Sequence, residues 1–378
     1  MKGTILRIKR ILFLSTIILL CYLVAFVIGE GRKNGINKYQ DRNKDVLNHT
    51  ILSSHFKQIL KCQLNYPGQP RKKVIGLKKI KEIRAPAGPK SLRIMPDGRH
   101  IFVNSFYAYK IAIIDASTFK VVRAVKVYGN PVEVDFTKEG RLAWVSLYNK
   151  NKVVIINTEK GIIFKDIRVG RTPKVVATSP AQEWVYVSNW HSHTVSVIDA
   201  YNFIKVKDVH VGRVPRGISF TPDGRYAYVA NMGGRTLSKI DVQNNHSVIK
   251  SIPVGFNPRH LVITKDGRYI YVSNNQENCV RKLDVVNDKV VGVAQVGSLP
   301  RTIVLLPNDE RYLFVCNYGS NNIGIVDTER MRQFFTIKTS VHPIGVTVTP
   351  DGKYLWVSNY RTSLLYVYEI LYSDESLF

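Results

Sequence analysis

A repeat of 42 or 43 residues extends over most of this 378-residue chain and restricts the folds that it can adopt. One valine marks each copy, and successive markers are 42, 42, 42, 43, 43 and 42 residues apart. A proline precedes each marker by 14 or 15 residues, and an acid or amide follows it by 12. The seven markers are Val103, Val145, Val187, Val229, Val272, Val315 and Val357. Seven copies at so steady a period indicate a repeat architecture.

Each copy has the composition of four short β-strands. In the copy from Val214 to Gly255, the runs ISFT, RYAYVAN, LSKID and HSVIKSIPV are rich in β-branched and aromatic residues. The segments PDGR and NMGG between them are typical of turns. Four strands in about 42 residues, without a helical period, are typical of one propeller blade. A β-solenoid is the alternative, although its repeats are usually shorter and its ends need caps.

Four copies contain a Tyr-Val-Ser-Asn run or a close variant of it. These tetrapeptides begin at Tyr186, Tyr228, Tyr271 and Trp356. The chain from residue 74 to residue 370 therefore resembles the YVTN family of β-propeller repeats. The first two copies depart from the pattern, because Ser105 and Leu147 stand where the others carry asparagine. The resemblance implies an all-β, seven-bladed propeller of four-stranded blades, but the functions of this family are varied and it assigns none.

The two ends of the repeat region predict how the propeller closes. The seventh copy stops after its third strand, Leu365 to Ile370, so its fourth strand is missing. Residues Leu77 to Arg84 match the fourth strand of the fourth copy, with Ile80 aligned on Ile249 and Ile83 on Ile252. We therefore predict that this N-terminal strand completes the last blade, which removes the open sheet edges of an unclosed propeller.

The N-terminal residues predict a membrane anchor ahead of the propeller. Residues 1–10 form a short basic tail, and residues 11–28 carry no charge, which is the lower range for a membrane-spanning helix. We expect a single-pass, uncleaved signal-anchor at residues 11–29, with the propeller outside the cytoplasm; a cleaved signal peptide is the alternative. Residues 30–73 are a predicted linker with an amphipathic helix, either a spacer docked on the propeller or a helix on the membrane surface. Residues 371–378 are a predicted C-terminal tail.

Charge distinguishes the chain from an average protein. It has 55 basic and 28 acidic residues, a net charge of +27, which favours an anionic partner. The residue after the proline is cationic in five copies: Lys90, Lys174, Arg216, Arg259 and Arg301. The third residue after the marker valine is aromatic in five: Phe106, Tyr148, Trp190, Tyr318 and Tyr360. We expect both columns on one face, with the cations at the mouth of the central channel and the aromatic rings farther out.

These two columns suggest a binding site for an anionic ligand. The cations would neutralise phosphate, carboxylate or sulfate groups, and the aromatic rings would stack on bases or sugars. A surface glycan, a lipid headgroup, a nucleic acid or a protein partner would fit. In the alternative interpretation the aromatic residues only fill the propeller interior. The cations then pair with acids of a neighbouring blade, for which Glu133 and Asp135 are available.

The chain lacks the sequence patterns of common catalytic sites. GxSxG, HExxH, P-loop and dinucleotide-binding glycine patterns are absent, and the four cysteines have no paired spacing for a disulfide or metal site. Glu133, the one acid at its repeat position, is the first candidate for a hidden catalytic residue. Histidines on the same face are candidate metal or haem ligands, namely His191, His193, His260 and His342.

The sequence thus predicts a monomeric, membrane-anchored, non-enzymatic binding or scaffold module without a metal or cofactor. Two other functions stay open. One is a propeller that binds single-stranded nucleic acid, and the other is a propeller lyase, hydrolase or haem- or metal-dependent enzyme.

Overall fold

The repeat folds into seven four-stranded antiparallel sheets, one for each copy. The computed structural model describes residues 72–374, and 28 strands lie within them. The first strands of successive blades contact one another in sequence, and the first strand of the last blade contacts that of the first blade. The sheets therefore surround a central axis, and the predicted seven-bladed propeller is confirmed.

The strands are numbered β1 to β28 in chain order. The innermost strands are β2 Pro89–Ile94, β6 Pro131–Thr137, β10 Pro173–Thr178, β14 Pro215–Phe220, β18 Pro258–Ile263, β22 Pro300–Leu305 and β26 Pro343–Val348. The second strands are β3 His100–Ser105, β7 Leu142–Leu147, β11 Trp184–Asn189, β15 Tyr226–Asn231, β19 Tyr269–Asn274, β23 Tyr312–Asn317 and β27 Tyr354–Asn359. A turn of 3-10 helix, Lys138–Gly140, lies between β6 and β7.

The outer half of each blade consists of its third and fourth strands. The third strands are β4 Lys110–Asp115, β8 Lys152–Asn157, β12 Thr194–Asp199, β16 Thr236–Asp241, β20 Cys279–Asp284, β24 Asn322–Asp327 and β28 Leu364–Asp374. The fourth strands are β5 Val121–Lys126, β9 Ile162–Arg168, β13 Ile204–His210, β17 Ser247–Pro253, β21 Lys289–Gln295, β25 Arg332–Lys338 and β1 Lys72–Arg84.

The acid or amide at the end of most third strands forms the turn into the fourth. Asp199 Oδ1 accepts hydrogen bonds from the backbone N–H groups of Tyr201 and Asn202, each at 2.8 Å. Short polar side chains favour such turns because they satisfy backbone donors locally. The seventh blade carries Glu369 at this position, where no turn follows and β28 continues to Asp374. The short acid or amide at this position therefore serves the turn, and the longer Glu369 in the last copy agrees with the missing fourth strand.

The hydrophobic core lies between the blades, with one cluster at each of the seven blade interfaces. The cluster between blades six and seven includes Phe314, Leu355 and Tyr368, all fully buried. Alternate side chains of each strand point to opposite faces of its sheet, so every blade packs against two neighbours. Stability is therefore shared around the propeller, and it depends on the last interface being closed.

The predicted closure is confirmed. β1 pairs antiparallel with β28 from Lys72–Asp374 to Arg84–Leu364, and the sheet order of the last blade is β1-β28-β27-β26. Both strands extend past the limits predicted from the sequence, since β1 begins at Lys72 and β28 ends at Asp374. The repeat alignment was also correct in orientation. Ile83 is buried like Ile252, whereas Ile80 is exposed like Ile249.

Several predictions fall wholly or largely outside the described residues. They are the basic tail at 1–10, the signal-anchor at 11–29, the linker at 30–73 and the end of the tail at 371–378. Between residues 72 and 374 no helix is long and apolar enough to cross a membrane. The two cysteines in this part of the chain, Cys279 and Cys316, are buried free thiols.

The closing strand gives a direct test of the fold. Leu77 is buried in the core between blades six and seven, and Ile80 on the same strand is 37% exposed. We expect Leu77→Ala to lower the free energy of unfolding by about 2–5 kcal/mol, the usual range for a buried leucine. Ile80→Ala, the matched control, should change it by less than about 1 kcal/mol, since little apolar surface is buried there. Urea unfolding followed by tryptophan fluorescence measures both; equal losses would contradict the proposed closure.

Candidate functional site

A regular hydrogen bond brings the two predicted columns together on one face of the propeller. The loop between the second and third strands begins at the aromatic column, and its first backbone N–H donates to the residue before the repeat proline. Trp190 N donates to Thr172 O at 3.0 Å, and Tyr318 N donates to Leu299 O at 3.2 Å. The same bond recurs in all seven blades. Each aromatic side chain therefore lies beside the start of an innermost strand.

The residue before the proline adopts an unusual backbone conformation in most blades. It has a positive φ at Gly88 (69°), Val214 (57°) and Leu299 (52°). This left-handed region is uncommon for non-glycine residues and unfavourable for a β-branched one such as valine. The strain lies next to the cationic column. It is held in place by the hydrogen bond from the neighbouring loop.

A β-bulge at the start of each innermost strand directs the cationic side chains. In blade three the regular pairing of β10 with β11 is interrupted between Pro173 and Val176, and all the innermost strands show the same irregularity. A bulge changes the direction of a side chain without ending the strand. The bulged residue is therefore the place in each blade where a side chain can turn toward the central axis.

The serine of the Tyr-Val-Ser-Asn motif stabilises this bulge and joins adjacent blades. Ser188 Oγ accepts a hydrogen bond from Val175 N at 3.0 Å and donates to Arg216 O of the next blade at 2.7 Å. Ser146 and Ser273 donate in the same way to the carbonyl oxygens of Lys174 and Arg301, at 2.6 Å each. This serine column was not predicted to have a role. Its recurrence at one repeat position was the available signal.

The asparagine that follows the serine holds the loop on which the aromatic column lies. Asn231 Nδ2 donates to Thr236 Oγ1 at 3.1 Å and to Ser238 Oγ at 2.9 Å, at the start of the third strand. A Cβ atom at Gly212 would lie 2.5 Å from Asn231 Cγ, so a glycine is required where the amide packs. The motif thus consists of two side chains that fix the backbone on either side of the channel mouth.

The five predicted cations converge from five different blades. We call Lys90, Lys174, Arg216, Arg259 and Arg301 the cation cluster. Lys174 is 6% exposed, and Arg216 and Arg259 are each 8% exposed. Burial lowers the pKa of Lys90, and the charges of Arg216, Arg259 and Arg301 lower it further, although these residues lie on blades four, five and six. Charges on blades four, five and six therefore act on Lys90 of blade one across the propeller.

The charged groups of the cation cluster have no carboxylate partners. None of the five lies within 4 Å of a carboxylate oxygen of the described residues. The predicted pairing with a neighbouring blade's acid does not occur at Asp135, which binds Arg93 at 3.0 Å and the Thr178 hydroxyl at 3.0 Å. Two donors beside the cluster, Arg301 Nε and Trp190 Nε1, are buried without a hydrogen-bond partner in this part of the chain.

The aromatic column contacts the cations directly. Lys174 Nζ lies 4.1 Å from the ring centroid of Tyr148 and 4.2 Å from that of Trp190. Lys90 Nζ lies 4.7 Å from Tyr360 and 5.8 Å from Phe106. Such contacts stabilise a cation by about 0.5–2 kcal/mol. The Lys174 amine therefore lies between two aromatic rings, and each of these rings contacts one cation of the cluster.

The contacts of the two columns vary from blade to blade. Met232 stands in the aromatic column of blade four, and Arg259 Nη1 lies 3.8 Å from its sulfur. The guanidinium of Arg301 lies 3.3 Å from the ring centroid of Tyr318, and His342 stacks on this ring at 4.1 Å. Two planar groups this close must cover opposite faces of the tyrosine. Blades two and seven carry Val132 and Ile344 in the cationic column, both buried.

Glu133 is the acid that acts on the cation cluster. Burial raises the pKa of this carboxyl to about 7, although the charges of Arg216, Arg93 and Lys90 oppose the shift. Its own charge acts in turn on the pKa values of Lys90, Arg216 and Arg259. One carboxyl group beside three arginines and two lysines leaves the cluster positive. Arg93, which interacts with this carboxyl, was not among the residues predicted from the sequence.

The four candidate metal-binding histidines make separate contacts. His191 Nδ1 lies 2.7 Å from the Thr172 hydroxyl, and His193 Nδ1 accepts from Val214 N at 3.1 Å. Burial lowers the pKa of His260 to about 3, and the charges of Arg216, Arg93 and Arg259 add to the shift. In the described part of the chain no three His, Cys, Asp or Glu side chains are close enough together to hold a metal ion.

A cleft on the outer rim of blade six provides a comparison with the cation cluster. It has a volume of about 580 Å³ and is lined by charged residues, among them Asp327 and Arg330. These two residues form an ion pair at 2.7 Å, and Arg311 in the same cleft binds Asp309 at 2.7 Å. The charges of the rim are thus balanced locally, whereas those of the cation cluster are not.

Comparison with known proteins agrees with this architecture. Residues 74–180 match a family model described as a YNCE-like β-propeller, and residues 202–334 match one described as lactonase, 7-bladed β-propeller. The chain is a seven-bladed β-propeller. Each match covers less than half of it, so neither model assigns a family. No curated protein matches the sequence.

One solved structure extends the fold comparison over most of the chain. The entire propeller resembles a chain of Kuenenia stuttgartiensis hydrazine synthase, with a TM-score of 0.68 and 20% sequence identity. The match covers 80% of this chain and 99% of that one. At this identity the likeness concerns the fold alone. The chemistry of the site depends on the residues of this propeller.

Burial of unpaired charges predicts that the cation cluster destabilises the protein. Replacing buried ionic groups by apolar residues of similar size is often stabilising by about 1–4 kcal/mol. We therefore expect Arg216→Ile, which copies the residue found at Ile344, to raise the free energy of unfolding by an amount in this range. Arg213→Ile, at an exposed position of the preceding loop, should stay within about 0.5 kcal/mol of the parent. Urea unfolding in a low-salt chloride buffer measures both variants. A clear loss of stability in Arg216→Ile would contradict the expectation.

Proposed function

We propose that the chain is a non-enzymatic binding module whose central channel binds an anionic ligand. The observation that carries this proposal is the convergence of five cations, from five blades, without a carboxylate within ion-pair distance among the described residues. Burying an ionised group without a partner is unfavourable. A negative ligand that supplies the missing partner therefore gains more here than at the protein surface.

The side chains suit oxygen anions. Guanidinium groups match carboxylate, sulfate and phosphate geometry through two parallel N–H donors, and three of the five cations are arginines. The buried donor Arg301 Nε is available for such a bond. The channel wall also positions these groups in advance, because the carbonyl oxygens of Arg216 and Arg301 are fixed by serines of the neighbouring blades. Such preorganisation lowers the entropy cost of binding.

Binding of single-stranded nucleic acid is the weaker of the two binding functions. That function needs aromatic faces on which bases can stack. Both faces of the Tyr318 ring are covered, and the rings of Tyr148 and Trp190 already contact Lys174. Tyr107, at 55% exposure, is one aromatic ring near the channel mouth that stays accessible. A small anionic group therefore fits the channel better than a polymer that needs several stacking rings.

The proposal of a non-enzymatic role is supported by the composition of the site. General acid–base hydrolysis commonly uses two groups with separated pKa values. Glu133 has a suitable pKa of about 7, but the nearby Asp135 is already bound to Arg93 and Thr178. The lactonase model matches residues 202–334, which supply Arg216, Arg259 and Arg301 and not Glu133. Lactonase activity is therefore not proposed for this chain.

The YVTN family stays the preferred relative within the propeller fold. It is supported by the structural role of the motif, because the serine and asparagine of Tyr186–Asn189 and its counterparts fix the bulge and the adjacent loop.

We also propose that residues 11–29 anchor the propeller to a membrane, on its extracytoplasmic side, as a monomer. The support is the uncharged run of residues 11–28.

Cell fractionation tests the anchor. The full chain should stay with the membrane pellet after a high-salt wash and dissolve in detergent, because apolar insertion is insensitive to salt. A chain beginning at residue 30 should move to the supernatant. If both forms stay in the pellet after the wash, the anchor at residues 11–29 is ruled out as the cause of attachment.

Titration with sulfate tests the binding function. We expect Arg216→Ile and Arg259→Ile each to weaken sulfate binding by about 10- to 100-fold, which corresponds to a lost charge-assisted hydrogen bond of about 1.5–3 kcal/mol. Calorimetric titration at constant ionic strength gives the dissociation constants. The exposed-site variants Arg213→Ile and Arg225→Ile should bind like the parent. Absence of sulfate binding, or equal binding by all five proteins, would overturn the proposal.

A further inference from the structure

The cation cluster combines two kinds of cation that respond differently to burial and to nearby positive charges. An arginine side chain stays protonated in proteins, whereas a lysine amine can lose its proton when it is buried or lies near other positive charges. Here Lys90 and Lys174 share the channel with three arginines, and Lys174 is 6% exposed. When no anion is bound, the lysines can reduce the repulsion between the positive charges by losing a proton.

The surroundings of the lysines favour the neutral amine. The Lys174 amine lies between the rings of Tyr148 and Trp190, at 4.1 and 4.2 Å from their centroids, and makes no ion pair within the described residues. Aromatic faces stabilise a cation far less than water or a carboxylate does. The amine therefore gains a charge readily only when a negative group enters the channel.

We propose that the channel takes up a small dianion together with protons, which are gained by Lys90, Lys174 and Glu133 as the anion enters. This inference rests on the proposed anion-binding function and adds to it the charge of the ligand and the coupling to pH. A sulfate, a phosphate monoester or a dicarboxylate has the required chemistry.

The charge of the channel before binding favours a dianion over a monoanion. With both lysines neutral and Glu133 ionised, the three arginines leave two positive charges in the channel. A dianion neutralises them, and each proton that is then gained adds a positive charge that attracts the bound anion. The depth of the site limits the size of the ligand, because Lys174, Arg216 and Arg259 are at most 8% exposed. Only a compact anion or the terminal group of a longer molecule can enter so far.

The pKa shifts agree with this geometry. Burial lowers the pKa of Lys174 to about 5, and the charges of Arg216, Lys90, Arg259 and Arg301 add to the shift. Burial likewise lowers the pKa of Lys90 well below its usual value. The other groups that face or act on the cluster from neighbouring elements are Arg93, Glu133, His260, Cys316, Phe106, Tyr148, Trp190, Met232, Tyr318 and Tyr360.

The sign of the pH dependence follows from the charge of the ligand. A bound anion favours the protonated form of every neighbouring group, so it raises the pKa values of both lysines and of Glu133. Protons are therefore taken up on binding, and affinity falls as the pH rises. For Lys174 this decrease begins above a pH of about 5, its value in the free channel, and for Glu133 it begins near 7.

Calorimetry in several buffers measures the proton uptake directly. Sulfate is a suitable probe because it stays a dianion throughout the range from pH 5 to pH 8, so that any proton must bind to the protein. At pH 7, the observed enthalpy plotted against the ionisation enthalpy of the buffer should give an uptake on the order of one proton. The affinity should fall by up to about tenfold per pH unit for each proton taken up.

Two conservative variants assign the protons to residues. Lys174→Arg keeps a permanent charge, as at the same position of blades four to six, so it should bind sulfate with reduced proton uptake. Glu133→Gln should remove the part of the uptake that appears near pH 7. Lys150→Arg, at an exposed loop position, is the control and should leave the uptake unchanged.

The outcomes separate this inference from the proposed function. Sulfate binding without proton uptake would overturn the inference and leave the anion-binding function intact. Equal uptake in the parent, Lys174→Arg and Glu133→Gln would overturn it as well, because other groups would then supply the protons. Failure of the parent to bind sulfate would overturn the function itself. Equal affinity for chloride and sulfate at one ionic strength would refute the selection of a dianion.

Discussion

The pairing of β1 with β28 is the interaction on which the rest of the structure depends. It joins residues 72–84 to residues 364–374, so that a chain of seven similar units becomes a closed propeller. β1 contributes Val74 and Leu77 to the core between blades six and seven, and Ile83 to the core between blades seven and one. Without closure, two apolar sheet faces and two sheet edges would be exposed. Closure also fixes the diameter of the central channel, since the number of blades determines it.

Closure positions the site through the hydrogen bonds between blades. Ser146 and Ser188 each bind a bulge in their own blade and a carbonyl oxygen in the next. The geometry of Lys174 and Arg216 is therefore set by two blades at once. A change in blade spacing anywhere would alter the distances between the cations. This dependence explains how a side chain on blade one and side chains on the four consecutive blades three to six can form one cluster.

The sequence predicted most of the fold and only part of the site. The period alone gave the blade number, and the alignment of Ile83 with Ile252 gave the closure, because both follow from burial repeated at fixed spacing. The two columns were also found from spacing. The bulge that redirects Lys174 could not be predicted, because strict alternation along a strand implies the opposite facing. Nor could the contact of Lys174 with Tyr148 be predicted, since it joins side chains of two adjacent blades.

The fold does not explain the cation cluster, which agrees with the proposed anion binding. Val132 and Ile344 show that the same strand position accepts an apolar residue, so the fold has no need of a cation there. Five of the seven blades nevertheless carry one, and the aromatic rings around Lys90 and Lys174 compensate only in part. A structural role would place acids beside these cations, as Asp309 lies beside Arg311 on the outer rim. This arrangement agrees with the proposal that an anionic ligand supplies the balancing charge in the channel.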